Sequence, residues 1–189
     1  MVIVSEHVHG AFTFADYLAH ERDTGVRHEF LDGRVSPRAT DPPEHARLIA
    51  EVTFALRGAL DPQRCRVFSS DLRIRIPATG LSTYPDVAVV CGDVEVAEDD
   101  PNAVTNPALL VEVLSPSTEA YDRGDKWAHY RRIPSLRAYV LVAPLSGRIE
   151  AFVRDGDAFV HRTAERGEAL ALEAFGLTLK SDELLAGAL

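Results

Sequence analysis

The sequence predicts a single α/β domain over residues 1–189, built on a mixed β-sheet flanked by helices. Two short apolar runs, Val87-Ala88-Val89-Val90 and Leu109-Leu110-Val111-Glu112-Val113-Leu114, have the length and continuity of strands buried on both faces. The second run is followed by a helical segment and then by Tyr139-Val140-Leu141-Val142, which makes a strand–helix–strand unit. No repeat, low-complexity stretch or linker divides the 189 residues, and a chain of that length can bury a sizeable core.

The remaining elements follow in chain order. Thr13 to Glu21 reads as a short amphipathic helix with Phe14, Tyr17 and Leu18 on one side, Thr13 as N-cap and Asp16 three residues on. Arg27 to Leu31, Asp32-Gly33 and Arg34-Val35 predict a hairpin on a D-G turn. Asp41-Pro42-Pro43-Glu44 predicts the start of a long helix, with an acid as N-cap and proline in the first turn. Leu48, Ile49, Val52, Ala55, Leu56 and Leu60 keep helical spacing until Asp61-Pro62 stops it. Arg64 to Ser69 and Leu72 to Ile76 read as strands, and the alternation of Arg73 and Arg75 with Leu72, Ile74 and Ile76 predicts a solvated polar face. The acids Asp93, Glu95, Glu98, Asp99 and Asp100 predict a solvated loop. Ile149 to Arg154 and Ala158 to Arg162 are expected as strands around the turn Asp155-Gly156-Asp157, before a leucine-rich tail.

A net charge of -9 with 46% hydrophobic residues argues against a disordered chain and against a protein that coats nucleic acid non-specifically. Locally the balance reverses: Arg123, Lys126, Arg131 and Arg132 outnumber Asp122 and Asp125 on the segment after Glu112. Cys65 and Cys91 form no C-x-x-C pair and are expected as two small, reduced, buried side chains. No run approaches the ~18 apolar residues of a membrane span, and MVIVSEHVHG lacks the basic start of a signal peptide. The expected location is cytoplasmic, with no membrane partner.

Glu112 is the residue that needs a reason. Strand alternation sets it with Leu110 and Leu114 on one face and Leu109, Val111 and Val113 on the other, where an unpaired carboxylate would be costly. Asp86 stands at the entry to the other buried-type strand. If the two strands are neighbours, two carboxylates meet and can chelate a hard divalent cation through oxygen. Asp122, Lys126 and Tyr130 recur at steps of four on the following segment, so Lys126 would arrive directly after the second strand. Two carboxylates, a cation and a lysine are what phosphodiester hydrolysis requires. Plainer roles stand beside these: Asp86 fixing the turn at Pro85, Glu112 in a buried pair with an arginine or Lys126, and Lys126 paired only with Asp122. Tyr130 is expected in the core. His45 and His129 are general bases or ordinary histidines, Asp71 is a weak candidate for the same cleft, and Ser115 and Ser117 are expected to shape a turn.

The ordered pieces HEFLDGRV, YPDVAVV, LLVEVLSPST, DRGDKWAHYRRIPSLRAYVLV and FGLTLKSDELL resemble the Uma2 family, a bacterial group in the PD-(D/E)xK, or restriction-endonuclease-like, superfamily. The resemblance runs from Phe14 to Leu185. It implies a restriction-endonuclease-like fold and a metal-dependent endonuclease acting on DNA, with Mg²⁺ or Mn²⁺ as cofactor. It implies Asp86 and Glu112 as metal ligands, the main-chain carbonyl of Val113 as a third, and Glu29 as an auxiliary acid that adds a ligand or holds a metal-bound water. The superfamily's lysine stands two residues after the glutamate; here that position is Leu114, and the resemblance moves the role to Lys126. Ala143 is a second departure, where relatives often end that strand with an acid. A homodimer is the expected assembly if both strands of a duplex are cut. The alternatives are a non-catalytic nucleic-acid-binding or accessory protein on the same scaffold, which Leu114 favours, and an oligomerisation module, which the acidic charge favours.

Overall fold

In the computed structural model, which describes residues 11–38 and 42–186, α1 (Phe14–Thr24) opens on the expected capping box, with Thr13 and Asp16 bonded reciprocally. Strands β1 (His28–Leu31) and β2 (Arg34–Pro37) pair antiparallel about Asp32 and Gly33, both at positive φ (49° and 78°), as a tight D-G turn requires. Helix α2 (Pro43–Ala59) has Pro42 at its N-cap, without a side-chain cap bond; Asp41, expected in that role, lies outside the described residues. Next come β3 (Cys65–Phe68), β4 (Arg73–Ile76), β5 (Leu81–Thr83), β6 (Val87–Cys91), β7 (Val96–Ala97), β8 (Asp100–Val104) and β9 (Leu109–Val113). The crossover consists of α3 (Glu119–Tyr121), a π-helical turn over Asp122–Lys126 and α4 (Trp127–Tyr130). The chain closes with β10 (Ala138–Ala143), β11 (Arg148–Asp155), β12 (Ala158–Ala164), β13 (Ala169–Leu172), β14 (Leu177–Lys180) and α5 (Ser181–Leu184).

The central sheet has the order β12-β11-β10-β9-β6-β3 and is mixed: β9 and β10 are parallel, which is why a crossover joins them, and the other pairs are antiparallel. One face, carrying Val87, Val89, Leu109, Val111 and Val113, packs on Leu48, Val52 and Leu56 of α2 and on leucines of the C-terminal hairpin. The other face, carrying Ala88, Val90, Leu110, Leu114 and Leu141, meets a second six-stranded sheet, β2-β1-β5-β4-β8-β7, through Ile74, Ile76 and Leu81. Tyr130, Ile133 and Leu136 fill the same layer. The alternation read from Leu109 to Leu114 therefore holds, and the second sheet is the part of the architecture that the strand lengths did not announce.

Two expectations are corrected, and a third at one residue. Arg73 and Arg75 alternate with apolar residues as anticipated, but their face is buried under α1: Arg73 is paired with Glu21 and Asp100 and donates to the Tyr84 hydroxyl, and Arg75 is paired with Asp99 at 3.0 Å. In the acidic stretch Asp93, Glu95, Glu98 and Asp99 are exposed and lie outside the strands as expected, and Asp100 alone departs, since it begins β8 and is 1% exposed. Cys65 and Cys91 are not reduced. They stand opposite each other in the β3–β6 ladder and form a disulfide, which removes the cysteines from the case for a cytoplasmic location. Among the described residues no helix is long and apolar enough to cross a membrane.

Candidate active site

The β6–β9 register pairs Val87 with Val111, so one step further sets Asp86 across from Glu112. The peptide N–H of Asp86 donates to Glu112 Oε2 at 3.3 Å, and that of Val113 donates to Asp86 Oδ2 at 2.8 Å. Both acids are about 3% exposed and border one cavity of about 670 Å³ with Glu29, Arg38, His45 and Lys126. Arg38 donates to Asp86 Oδ1 at 2.5 Å and to the Ser70 carbonyl at 3.0 Å. His45, at the start of α2, places Nε2 2.7 Å from the Val113 carbonyl and 3.3 Å from Asp86 Oδ2. A carbonyl only accepts, so Nε2 carries the hydrogen.

Lys126 reaches the same cavity from the crossover. The wide π turn brings Asp122 and Lys126 inward together, and Tyr130 follows one turn later. Lys126 Nζ lies 2.9 Å from Glu112 Oε1, 3.3 Å from Asp122 Oδ1 and 3.7 Å from Glu29 Oε1, so the pair with Asp122 coexists with the contact to Glu112. Tyr130, fully buried as expected, also donates to Glu112 Oε1 at 2.9 Å. Glu29 comes from the second sheet, where its carboxylate accepts from Thr83 and, at 2.9 Å, from Tyr121. Leu114 occupies the usual lysine position as a core residue.

One ammonium among three carboxylates settles the charges. Burial alone would lower the Lys126 pKa, but Glu112, Glu29 and Asp122 outweigh it and hold the ammonium well above its ordinary value. The excess negative charge falls on Glu112: burial pushes its carboxyl up to about 8, with Asp86 and Asp122 adding to the rise and Lys126 opposing it. Burial also works against an ionised Asp86, yet His45, the Val113 N–H and Arg38 together hold that carboxyl below its ordinary value.

The structure thus gathers Asp86, Glu112, Lys126, Glu29 and the Val113 carbonyl. Asp71 is elsewhere, exposed and paired with Arg27 at 2.5 Å. Ser115 bonds Ser117 and Thr118 within its turn, and His129 does not line the cavity. Arg38 and Asp122 are the participants that the sequence did not nominate as site residues. Asp122 had a signal, its step of four to Lys126; Arg38 had none. Nothing in the structure explains Ala143. The two acids and the Val113 carbonyl are hard oxygen donors, which suits Mg²⁺ or Mn²⁺. Each already accepts a hydrogen bond, and among the described residues no three His, Cys, Asp or Glu side chains are grouped to hold a metal as they stand.

A mixed sheet whose central strands bring two acids together, with a lysine delivered by the crossover between parallel neighbours, is a restriction-endonuclease-like α/β fold. A crystal structure described as "a putative nuclease belonging to DUF820" from Anabaena variabilis shares it, with a TM-score of 0.72 over 87% of this chain and 93% of that one; at 18% identity this speaks for the fold. The chain belongs to the Uma2 family, whose model, described as "Putative restriction endonuclease", matches residues 14–182. Two Synechocystis sp. proteins, the uncharacterized sll1609 and slr1290, are each 33% identical to it. The first match covers 77% of this chain and 82% of the relative, the second 91% and 90%. Family membership supports a nuclease, and with it nucleic-acid binding, at the level of the family.

Proposed function

We propose that the protein is a metal-dependent endonuclease that hydrolyses phosphodiester bonds of DNA. The observation that carries this is the convergence of Asp86, Glu112, Lys126 and Glu29, from four different segments of the chain, on one cavity. Asp86, Glu112 and the Val113 carbonyl would hold Mg²⁺ or Mn²⁺, which supplies Lewis acidity toward a phosphoryl oxygen and a more acidic bound water. Lys126 keeps its proton among three acids, so it acts as a fixed positive charge that offsets charge developing on the phosphate and orients the attacking water, not as a base. Glu29 steadies Lys126 from the opposite side, held by Thr83 and Tyr121. Arg38 offers a guanidinium fork to a phosphate once it leaves Asp86. A homodimer would set two such cavities on the two strands of a duplex.

Duplex and single-stranded DNA incubated with wild type, Asp86→Asn and Glu112→Gln, with Mg²⁺, Mn²⁺ or EDTA, test this. Cleavage by wild type alone, and only with metal, is the expected result. The engaged oxygens and the apolar Leu114 favour a second reading, a non-catalytic binding protein on this scaffold. Metal-independent DNA binding by all three proteins without cleavage would establish it.

A further inference from the structure

A second cavity, of about 750 Å³, opens at the other end of the central strands. Ala108, just before β9, lines it, whereas Glu112 of that strand lines the first cavity, four residues or roughly 13 Å away. Arg132 and Arg137 line it from the connection between α4 and β10, and Arg154 from β11; among the described residues none of the three has a carboxylate partner. Arg154 is fixed in place. Its Nε donates to the Leu136 carbonyl at 2.6 Å, its Nη2 donates to the Ile133 carbonyl at 2.9 Å, and its guanidinium carbon lies 4.4 Å from the centre of the Phe159 ring. Nη1 is left over.

In a chain of net charge -9, this cavity has three guanidiniums against one lining carboxylate, Glu95. Arg132 and Arg137 are exposed, but Arg154 is half-buried and held rigid without a counter-ion, and it gives up hydration that an anion would restore. Pro77, Ile133 and Pro134 supply an apolar wall beside the charges. Phosphate recognition by guanidiniums next to an apolar surface is a combination that a nucleotide satisfies at both ends. We propose that this cavity binds a nucleoside phosphate, with the phosphate on Arg132, Arg137 and Arg154 Nη1 and the base against Pro77, Ile133 and Pro134. The ligand is either a free nucleotide or the phosphorylated end of a nucleic-acid strand. This inference does not depend on nuclease activity at Asp86 and Glu112.

Calorimetric titration of the full chain with adenosine 5′-diphosphate, with adenosine as control, is the test. Saturable binding of the diphosphate, but not of adenosine, is expected. Arg132→Met and Arg137→Met should each weaken it about tenfold through loss of a charge-assisted contact. Neither of these side chains makes a hydrogen bond or ion pair within the described protein, so both variants should fold even if Arg154→Met does not. Asp86→Asn should bind as wild type does. A 5′-phosphorylated oligothymidylate that displaces the diphosphate at lower concentration identifies a strand end as the ligand; weaker competition identifies the free nucleotide. No saturation by either probe, wild-type binding by both arginine variants, or loss of binding in Asp86→Asn overturns the proposal.

Discussion

Asp86 donates its peptide N–H to the Glu112 carboxylate at 3.3 Å, and the N–H of Val113, next to Glu112, donates to Asp86 at 2.8 Å. The strand register sets the two acids across from each other, and these backbone N–H groups hold their carboxylates in place. The register also holds them where both cannot easily be charged, and environment separates them: Asp86 stays low with its cationic neighbours while Glu112 is pushed up to about 8.

A pH dependence of stability follows. Glu112 ionises near its ordinary 4.5 in the unfolded chain but holds its proton to about 8 in the native state. Between those values the native state binds more protons, so stability falls as pH rises, by up to about 1.4 kcal/mol per pH unit for this group. Asp122, raised by burial, adds in the same sense; the stability contributed by the lowered Asp86 is lost only below about pH 4. Urea denaturation without metal should show a weaker fold at pH 8 than at pH 5.5, and Glu112→Gln should flatten most of that difference. The same slope in wild type and variant would dismiss Glu112 as its source.

Removing the ammonium should cost more than removing the acid. Lys126→Met leaves the buried Glu112 and Asp122 and the half-buried Glu29 without their cation, and about 3–5 kcal/mol of destabilisation is expected. Glu112→Gln in the same background relieves part of this, so the double-mutant cycle should show a coupling of at least about 1 kcal/mol. Additive effects in urea melts would mean that the 2.9 Å contact carries no energy.

The local parts of this structure were legible and the long-range parts were not. The period-two pattern from Leu109 to Leu114 assigned Glu112 its face, the Thr13–Asp16 spacing gave a helix start, and Asp32-Gly33 gave a hairpin, because each depends on residues within a few positions. The second sheet was missed because its strands are two to five residues long and partly polar. Arg73 lies 52 residues from Glu21, and Arg38 lies 48 residues from Asp86. No periodicity encodes such partners, so an arginine that neutralises a buried acid reads the same as one that faces water.

Arg73 gives that difference a magnitude. An arginine on a solvated strand face could be replaced at little cost, but this one ties Glu21, Tyr84 and Asp100 together beneath α1. Arg73→Met should lose about 3–5 kcal/mol, since it leaves two buried carboxylates unpaired. A loss below about 1 kcal/mol in chemical denaturation would restore the solvated reading.

The cysteine pair makes a separate prediction. Cys65 and Cys91 close a loop over a sequence separation of 26, for which the chain-entropy argument gives about 3.5 kcal/mol. Dithiothreitol should lower the melting temperature of wild type and leave the Cys65→Ser/Cys91→Ser double variant unmoved. Two thiols titratable in the native protein before reduction would show the bridge to be absent.

Arg38 bears on how a cation would enter. Its guanidinium sits on Asp86 Oδ1 at 2.5 Å, placing positive charge on an oxygen that the proposed metal needs. Metal and arginine would then compete, and the ion would bind only after displacing a charge-assisted hydrogen bond worth about 1.5–3 kcal/mol. Arg38→Met removes the competitor and leaves Asp86 with His45 and the Val113 N–H. The Mn²⁺ concentration at the midpoint of the thermal shift should therefore fall by about tenfold or more relative to wild type. If Arg38 also grips the phosphate after leaving Asp86, the same variant should bind DNA more weakly at saturating metal, so the two effects have opposite signs and separate measurements. A Mn²⁺ midpoint that does not move, beside a wild-type shift that is real, would place the ion away from Asp86 Oδ1. No thermal shift in either protein would remove Asp86 from the metal site and leave the guanidinium as its permanent partner.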